Sequence, residues 1–177
     1  MNKILAILLI IVLLPIWLII ALGQWMVFGR VIFRQKRTGK NLKLFTIYKF
    51  QSMKMGSGEI PPWGAFLRKT SLDETPQLIN ILLGQMNFVG PRPLLPEYSD
   101  LYTSQQNKRH LVKPGITGWA QVNGRTNLSW EQQFEYDVWY VENRSFLLDI
   151  KVVLRTLSNV FHSKSSKEER RAFTGKY

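Results

Sequence analysis

From Ile4 to Gly29 the chain carries no charged side chain, and this feature limits what the rest can fold into. Ile4 to Leu22 is almost wholly apolar, with Trp17 and Trp25 in or beside the segment. As a helix such a stretch reaches about 28 Å, close to the hydrocarbon thickness of a bilayer. Arg30, Arg34, Lys36, Arg37, Lys40, Lys43, Lys49 and Lys54 follow without one acidic residue between them. A basic block directly after an apolar segment is the pattern of a juxtamembrane region facing anionic lipid on the cytoplasmic side. Lys3 is a thin basic start and no small-x-small cleavage site follows, so residues 1–29 read as a retained membrane anchor. Pro15 removes one helical hydrogen bond and crowds the carbonyl of Ile11, which predicts a bend there. A spanning helix and a re-entrant helix broken at Pro15 are both open on these grounds. The basic block fixes only the C-terminal end of the segment as cytoplasmic.

The 177-residue chain has a net charge of +12, which calls for an anionic partner: nucleic acid, an acidic membrane surface or phosphorylated substrates. No nucleic-acid module is recognisable, so membrane lipid is expected and nucleic acid is not. There is no cysteine, which excludes disulfides, thiolate chemistry and cysteine-based zinc sites. His110 and His162 are too few for a histidine metal cluster.

Beyond the anchor, residues 30–162 read as one small domain and residues 163–177 as a polar, disordered tail. Val31 to Gln35 and Leu42 to Phe50 predict a β-hairpin turning at Thr38-Gly39-Lys40-Asn41. Met55 to Gly64 reads as a loop, and Trp63 to Lys69 as a short helix. Pro91, Pro93 and Pro96 interrupt regular structure before a return to helix over Glu97 to His110. Ala120 to Val122 predicts a short strand. Ser129 with Gln132 forms a capping box for a helix carrying Trp130, Phe134, Val138 and Val141 on one side. Phe146, Ile150, Val153, Leu154, Leu157 and Phe161 mark a final amphipathic helix flanked by Lys151 and Arg155. Core packing is its expected role, and lying in the membrane interface the alternative.

The chemistry gathers at Thr70-Ser71-Leu72-Asp73-Glu74-Thr75-Pro76-Gln77-Leu78. Thr75 reads as an N-cap and Pro76 as the first helical residue, with Leu78, Ile79, Leu82 and Leu83 at helical spacing and Gly84 closing the run. Asp73 and Glu74 then lie beside a helix start, where carboxylates stay ionised. Alone, the pair is no more than a cap, and Ser71 with Glu74 fits a capping box. Arg68 just upstream and Gly90-Pro91-Arg92-Pro93 downstream change that reading. Carboxylates and arginines gathered together can bind a divalent ion and phosphates. No phosphate-binding glycine loop is present, so arginines, metal and helix terminus must hold the phosphates. Arg68, Arg92 and Arg125 each adjoin a turn or helix start, and a guanidinium fork suits phosphate oxygens. His110 is a structural residue on this reading, and Trp119 and Trp130 are core or interface residues.

Ser71-Leu72-Asp73-Glu74, Phe88-Val89-Gly90-Pro91-Arg92-Pro93, Lys113-Pro114-Gly115-Ile116-Thr117-Gly118 and Gln121-Val122-Asn123-Gly124-Arg125 together resemble the bacterial sugar transferase family, the monotopic phosphoglycosyl transferases. The similarity runs from the apolar segment to about Val160. It implies an α/β fold of irregular α+β type, with a re-entrant anchor, a small sheet and interfacial helices. It also implies transfer of a sugar-1-phosphate from a UDP-sugar to polyprenyl (undecaprenyl) phosphate at the bacterial inner membrane, with the catalytic domain on the cytoplasmic face. By resemblance Asp73 is the nucleophile that forms an aspartyl phosphosugar, and Glu74 assists binding of Mg²⁺ at the pair. Arg68, Arg92 and Arg125 match phosphate-binding arginines. Leu14 stands before Pro15 where the family often has serine, and the loop from Met53 to Arg68 is short. The reading from another class is a membrane-tethered basic scaffold that binds anionic lipid or nucleic acid without catalysis.

Overall fold

The structure, a computed structural model, describes residues 2–124, 127–162 and 173–175. It divides into two units, residues 1–35 with 46–84 and residues 36–45 with 85–177.

In the first unit, helix α1 (Asn2–Phe28) holds the uncharged segment. It is hydrophobic all round, and most of its large apolar side chains are exposed. Such a surface suits lipid rather than water. The helix runs without interruption through Pro15. The predicted break is therefore absent from the hydrogen-bonded ladder: proline deletes one donor, and the bonds above and below it hold the helix together.

The chain then forms strands β1 (Ile32–Thr38) and β2 (Leu44–Phe50), the expected hairpin, whose base lies in this unit and whose turn, within residues 36–45, is counted with the second. The Gly39 N–H donates to Lys43 O at the turn and the Gln51 N–H to Val31 O at the base, which makes the pairing antiparallel. Asn41 and Leu42 take positive φ to close the turn. Helix α2 (Pro62–Lys69) and helix α3 (Gln77–Leu82) complete the first unit, and α1 packs on α3. Its core is Ile20, Phe50 and Leu67, with Trp17, Trp63 and Leu72 against them. Gly23 lets the Trp63 ring approach α1 closely, since a Cβ there would lie 2.8 Å from it.

In the second unit, strand β3 (Asn87–Val89) pairs in parallel with strand β4 (Gly115–Thr117), Asn87 opposite Gly115 and Val89 opposite Thr117. The strand expected over 120–122 is instead helix α5 (Trp119–Asn123), and the turn-like residues before it supply the strand. The reason is steric. A Cβ on Gly115 would meet Gly90 N at 2.2 Å, and one on Gly118 would meet Gly90 O at 2.3 Å, so glycines allow this backbone approach.

The helix expected over 97–110 is broken up. A 3-10 segment spans Pro96–Leu101, helix α4 spans only Ser104–Asn107, and a second 3-10 segment spans Lys108–Leu111. Thr103 forms a reciprocal capping box with Gln106 and restarts the helix, which a continuous reading overlooks. Helix α6 (Trp130–Asn143) begins with the predicted Ser129–Gln132 box.

Helix α7 (Phe146–His162) overturns the core-packing expectation. Val152 is fully buried, whereas Phe146, Leu147, Leu154 and Leu157 are more than half exposed. Its apolar stripe faces outward.

The tail also departs from expectation at its far end. Phe173 is only 4% exposed and packs with Leu94, Tyr102 and Phe134, with Tyr98 and Trp130 against the cluster. Residues 163–172 lie outside the described residues.

Candidate active site

Asp73 and Glu74 lie in a 3-10 turn, Leu72–Glu74, set one turn ahead of α3 rather than at its first residues. Ser71 enters that turn in the left-handed region (φ 58°) and makes no side-chain cap. The Ser71–Glu74 capping box is therefore not formed, because Glu74 is drawn elsewhere. Lys49 Nζ lies 2.6 Å from Glu74 Oε1, with both side chains about four-fifths buried. Asp73 is buried beside it, 8% exposed. Thr75 does not cap α3 either. Its hydroxyl donates to Leu72 O at 2.8 Å and accepts from the indole N–H of Trp17 at 2.9 Å.

Lys49 reaches Glu74 because α3 grips β2 by its backbone. The fully buried Asn80 accepts from the Tyr48 N–H at 3.2 Å and donates to Thr46 O at 2.7 Å. Strand alternation then turns Lys49 to the same side as the buried Ile47. Neither Lys49 nor Asn80 is predicted as a site residue from sequence. The available signal is a lysine in phase with the apolar residues of a strand.

Arg68 ends α2 in the same unit as the acidic pair. Its side chain is exposed, and its carbonyl accepts from the Ser71 N–H at 3.2 Å, which starts the turn. Arg92 belongs to the second unit. Arg125 lies outside the described residues. Of the predicted site residues, the structure thus groups Arg68, Asp73 and Glu74 on one short stretch and adds Lys49.

The loop bearing Arg92 is fastened from several directions. Gly90 N–H donates to Thr117 O at 2.9 Å, Gly115 N–H to Pro91 O at 3.1 Å, and Thr38 N–H to Leu94 O at 3.1 Å. Arg109 Nη2 donates to Arg92 O at 2.7 Å and to Asp137 Oδ2 at 2.7 Å. The Arg109 and Asp137 side chains are each 1% exposed. The guanidinium also faces the rings of Tyr102 and Phe134 at 5.8 and 5.5 Å. Tyr140 hydroxyl donates to Asp149 Oδ1 at 2.6 Å, and burial followed by that carboxylate raises its pKa far above the usual phenol value. The Gly-Pro-Arg-Pro and Pro-Gly-Ile-Thr-Gly motifs are thus two sides of one rigid backbone junction.

His110 is 6% exposed, and its Nδ1 lies 3.2 Å from Gly39 O. Burial, then the Arg109 charge, lowers its pKa to about 4, so it is neutral at pH 7. This is the structural role expected of it. Trp119 stacks on Trp139 at 4.9 Å under the cations of Lys151 and Arg155, and Trp130 packs in the aromatic cluster.

Among the described residues no group of three or more histidine, aspartate or glutamate side chains could hold a metal ion. The donors available are the two adjacent carboxylates. They fit Mg²⁺, which is commonly bound through one or two carboxylates with water and substrate phosphate completing the shell.

These features define a membrane-associated protein with a carboxylate pair suited to phosphate chemistry. The sequence matches the bacterial sugar transferase family over residues 1–163, and the chain belongs to that family. It is 50% identical over 144 residues to the uncharacterized sugar transferase EpsL of Bacillus subtilis, covering 76% of this chain and 71% of that protein. It is 38% identical to the UDP-glucose:undecaprenyl-phosphate glucose-1-phosphate transferase of Xanthomonas campestris, over 93% of this chain and 39% of that protein. With the undecaprenyl-phosphate galactose phosphotransferase of Salmonella typhimurium the identity is 36%, over 72% of this chain and 33% of that protein. Family membership makes the chain a transferase and displaces the non-catalytic scaffold reading.

Proposed function

We propose that this protein transfers a sugar-1-phosphate from a UDP-sugar to undecaprenyl phosphate, the reaction type named for its Xanthomonas relative. A carboxylate oxygen of Asp73 attacks the sugar-linked phosphorus, the bond to the bridging oxygen breaks, and UMP leaves. An oxygen of the acceptor phosphate then attacks the same phosphorus, releasing Asp73 and giving the lipid diphosphate sugar. The acceptor is already ionised at neutral pH, so the second step needs no strong base. Lys49 holds Glu74 in place beside the nucleophile. Asp73 and Glu74 are the residues that would hold Mg²⁺, which supplies charge neutralisation at the diphosphate and the leaving group. Arg68, Arg92 and Arg125 are assigned to substrate phosphates.

The protein works at the cytoplasmic face of the inner membrane. Helix α1 enters the bilayer, and α7 lies in the interface with Phe146, Leu147, Leu154 and Leu157 toward lipid. The observation that supports the reading most is the buried Asp73 next to a glutamate held by an inward-facing lysine.

The test is to expose purified protein to UDP-sugars with Mg²⁺ and no lipid acceptor. UMP release stoichiometric with enzyme, and a phosphosugar mass on the peptide containing Asp73, are expected. Adduct on another residue, or strictly sequential kinetics with no adduct, overturns the covalent route.

A further inference from the structure

The catalytic turn is tied to the membrane anchor by a chain of two hydrogen bonds. The Trp17 indole N–H donates to Thr75 Oγ1 at 2.9 Å, and the Thr75 hydroxyl donates onward to Leu72 O at 2.8 Å. The backbone N–H of Thr75 donates to that carbonyl as well, at 3.2 Å. Leu72 and Thr75 bracket Asp73 and Glu74. A hydroxyl offers one donor and two acceptor sites, so the direction of each bond is set: indole to hydroxyl to carbonyl. Each bond in such a chain polarises the next. The indole is itself held, with Phe50 of β2 edge-on to it at 5.9 Å and 88°. It lies two residues beyond Pro15, within the uninterrupted anchor helix.

We infer that Trp17 and Thr75 are positioning residues that fix the turn carrying the nucleophile relative to the anchor helix. Neither group touches the reacting atoms. Their work is to hold the Leu72 carbonyl, and with it the backbone on which Asp73 rides, in one place relative to the bilayer-embedded helix. Without the indole bond the turn keeps its own hydrogen bonds, such as Glu74 N–H to Ser71 O at 3.2 Å, and stays folded. It loses its hydrogen-bonded tie to α1, while the packing of α1 on α3 remains. The inference rests on the reading of Asp73 as nucleophile.

The test uses the full chain in vesicles of anionic phospholipid containing undecaprenyl phosphate. Thr75→Val keeps the shape and removes the hydroxyl, Thr75→Ser restores it, and Trp17→Phe removes the indole donor together with one ring of its packing against Phe50. Thr75→Val and Trp17→Phe should each lower kcat for UMP release about tenfold or more, with the KM for donor and the vesicle-bound fraction unchanged. Thr75→Ser should return to within about twofold of wild type. The double variant should be no slower than the slower single variant, because both act through one bond.

The inference is overturned by a wild-type kcat in Thr75→Val, by losses that multiply in the double variant, or by a fall in vesicle binding that accounts for the loss. If Thr75→Val does not accumulate, Trp17→Phe carries the same decision. Failure of the functional reading looks different: wild type releases no UMP from any UDP-sugar, or Asp73→Asn remains fully active.

Discussion

Two ion pairs, of similar sequence separation, hold this molecule in different ways. Lys49–Glu74 closes at 2.6 Å with about a sixth of each side chain still in solvent, beside Asp73, the proposed nucleophile. Arg109–Asp137 closes at 2.7 Å with 1% of each exposed, roofed by two aromatic rings and bonded to the Arg92 carbonyl. A carboxylate that keeps contact with water retains capacity for further ligands, which a metal-assisted site needs. A dry pair whose guanidinium is directed at a carboxylate, a carbonyl and a phenol oxygen is held in one arrangement, which suits a residue that fastens a loop. The cost of removing one partner differs accordingly, since an uncompensated charge in a dry site has no water to turn to.

The largest expected effect is on activity and concerns the wetter pair's neighbour. Asp73→Asn removes the proposed nucleophile without changing shape, and UMP release should fall by roughly 10⁴-fold or more. Its melting midpoint in detergent should stay within a few degrees of wild type.

The next experiment sets the two pairs against each other on stability. Asp137→Ala strands a buried guanidinium and should cost about 3–5 kcal/mol, lowering Tm by roughly 10 °C. Lys49→Met leaves a glutamate that water can reach and should cost about 1 kcal/mol, while slowing UMP release at least about tenfold. Equal melting losses in the two variants would break the comparison.

Acid sharpens it. His110 has a native pKa of about 4, below the ordinary value of 6.5, because of burial and the neighbouring Arg109 charge. Between those values the unfolded chain binds the proton and the native chain does not, so stability falls as pH drops from about 6.5 toward 4. The loss attributable to His110 is about 3 kcal/mol across that window. His110→Gln keeps a donor for Gly39 O and does not titrate. The pH dependence of its melting should be flatter than that of wild type by this amount.

How much of this was legible in the sequence depends on the range of the interaction. The uncharged run, the hairpin and the Ser129–Gln132 box rest on neighbours within a few residues, and periodicity reads them directly. Asp73 and Glu74 are legible as a cluster, but their setting is not. Glu74 leaves its local cap for a lysine 25 residues away, which no local rule anticipates. The 120–122 strand failed because Gly115 and Gly118 serve a close approach to Gly90, whereas locally they read as turn residues. Asp137 escaped notice because a charged residue on the buried side of α6 looks like an error of pattern until Arg109 arrives opposite it.

The smallest effect is expected at Phe173, and it tests whether the dry pair's roof is part of the pair. Phe173 stacks on Tyr102 at 5.9 Å and meets Phe134 edge-on at 5.1 Å, the two rings that face the Arg109 guanidinium. An interior Phe→Ala usually costs several kcal/mol, but a residue near a chain end can withdraw, and the loss is then capped at the energy of docking. Phe173→Ala should therefore cost about 1–2 kcal/mol, a few degrees in Tm. Because it acts on the same rings, its effect should change when Asp137→Ala is already present, and should add simply to that of Lys49→Met. Additivity with both would mean that the aromatic cluster and the buried pair are independent, and that the pair's rigidity comes from its hydrogen bonds alone.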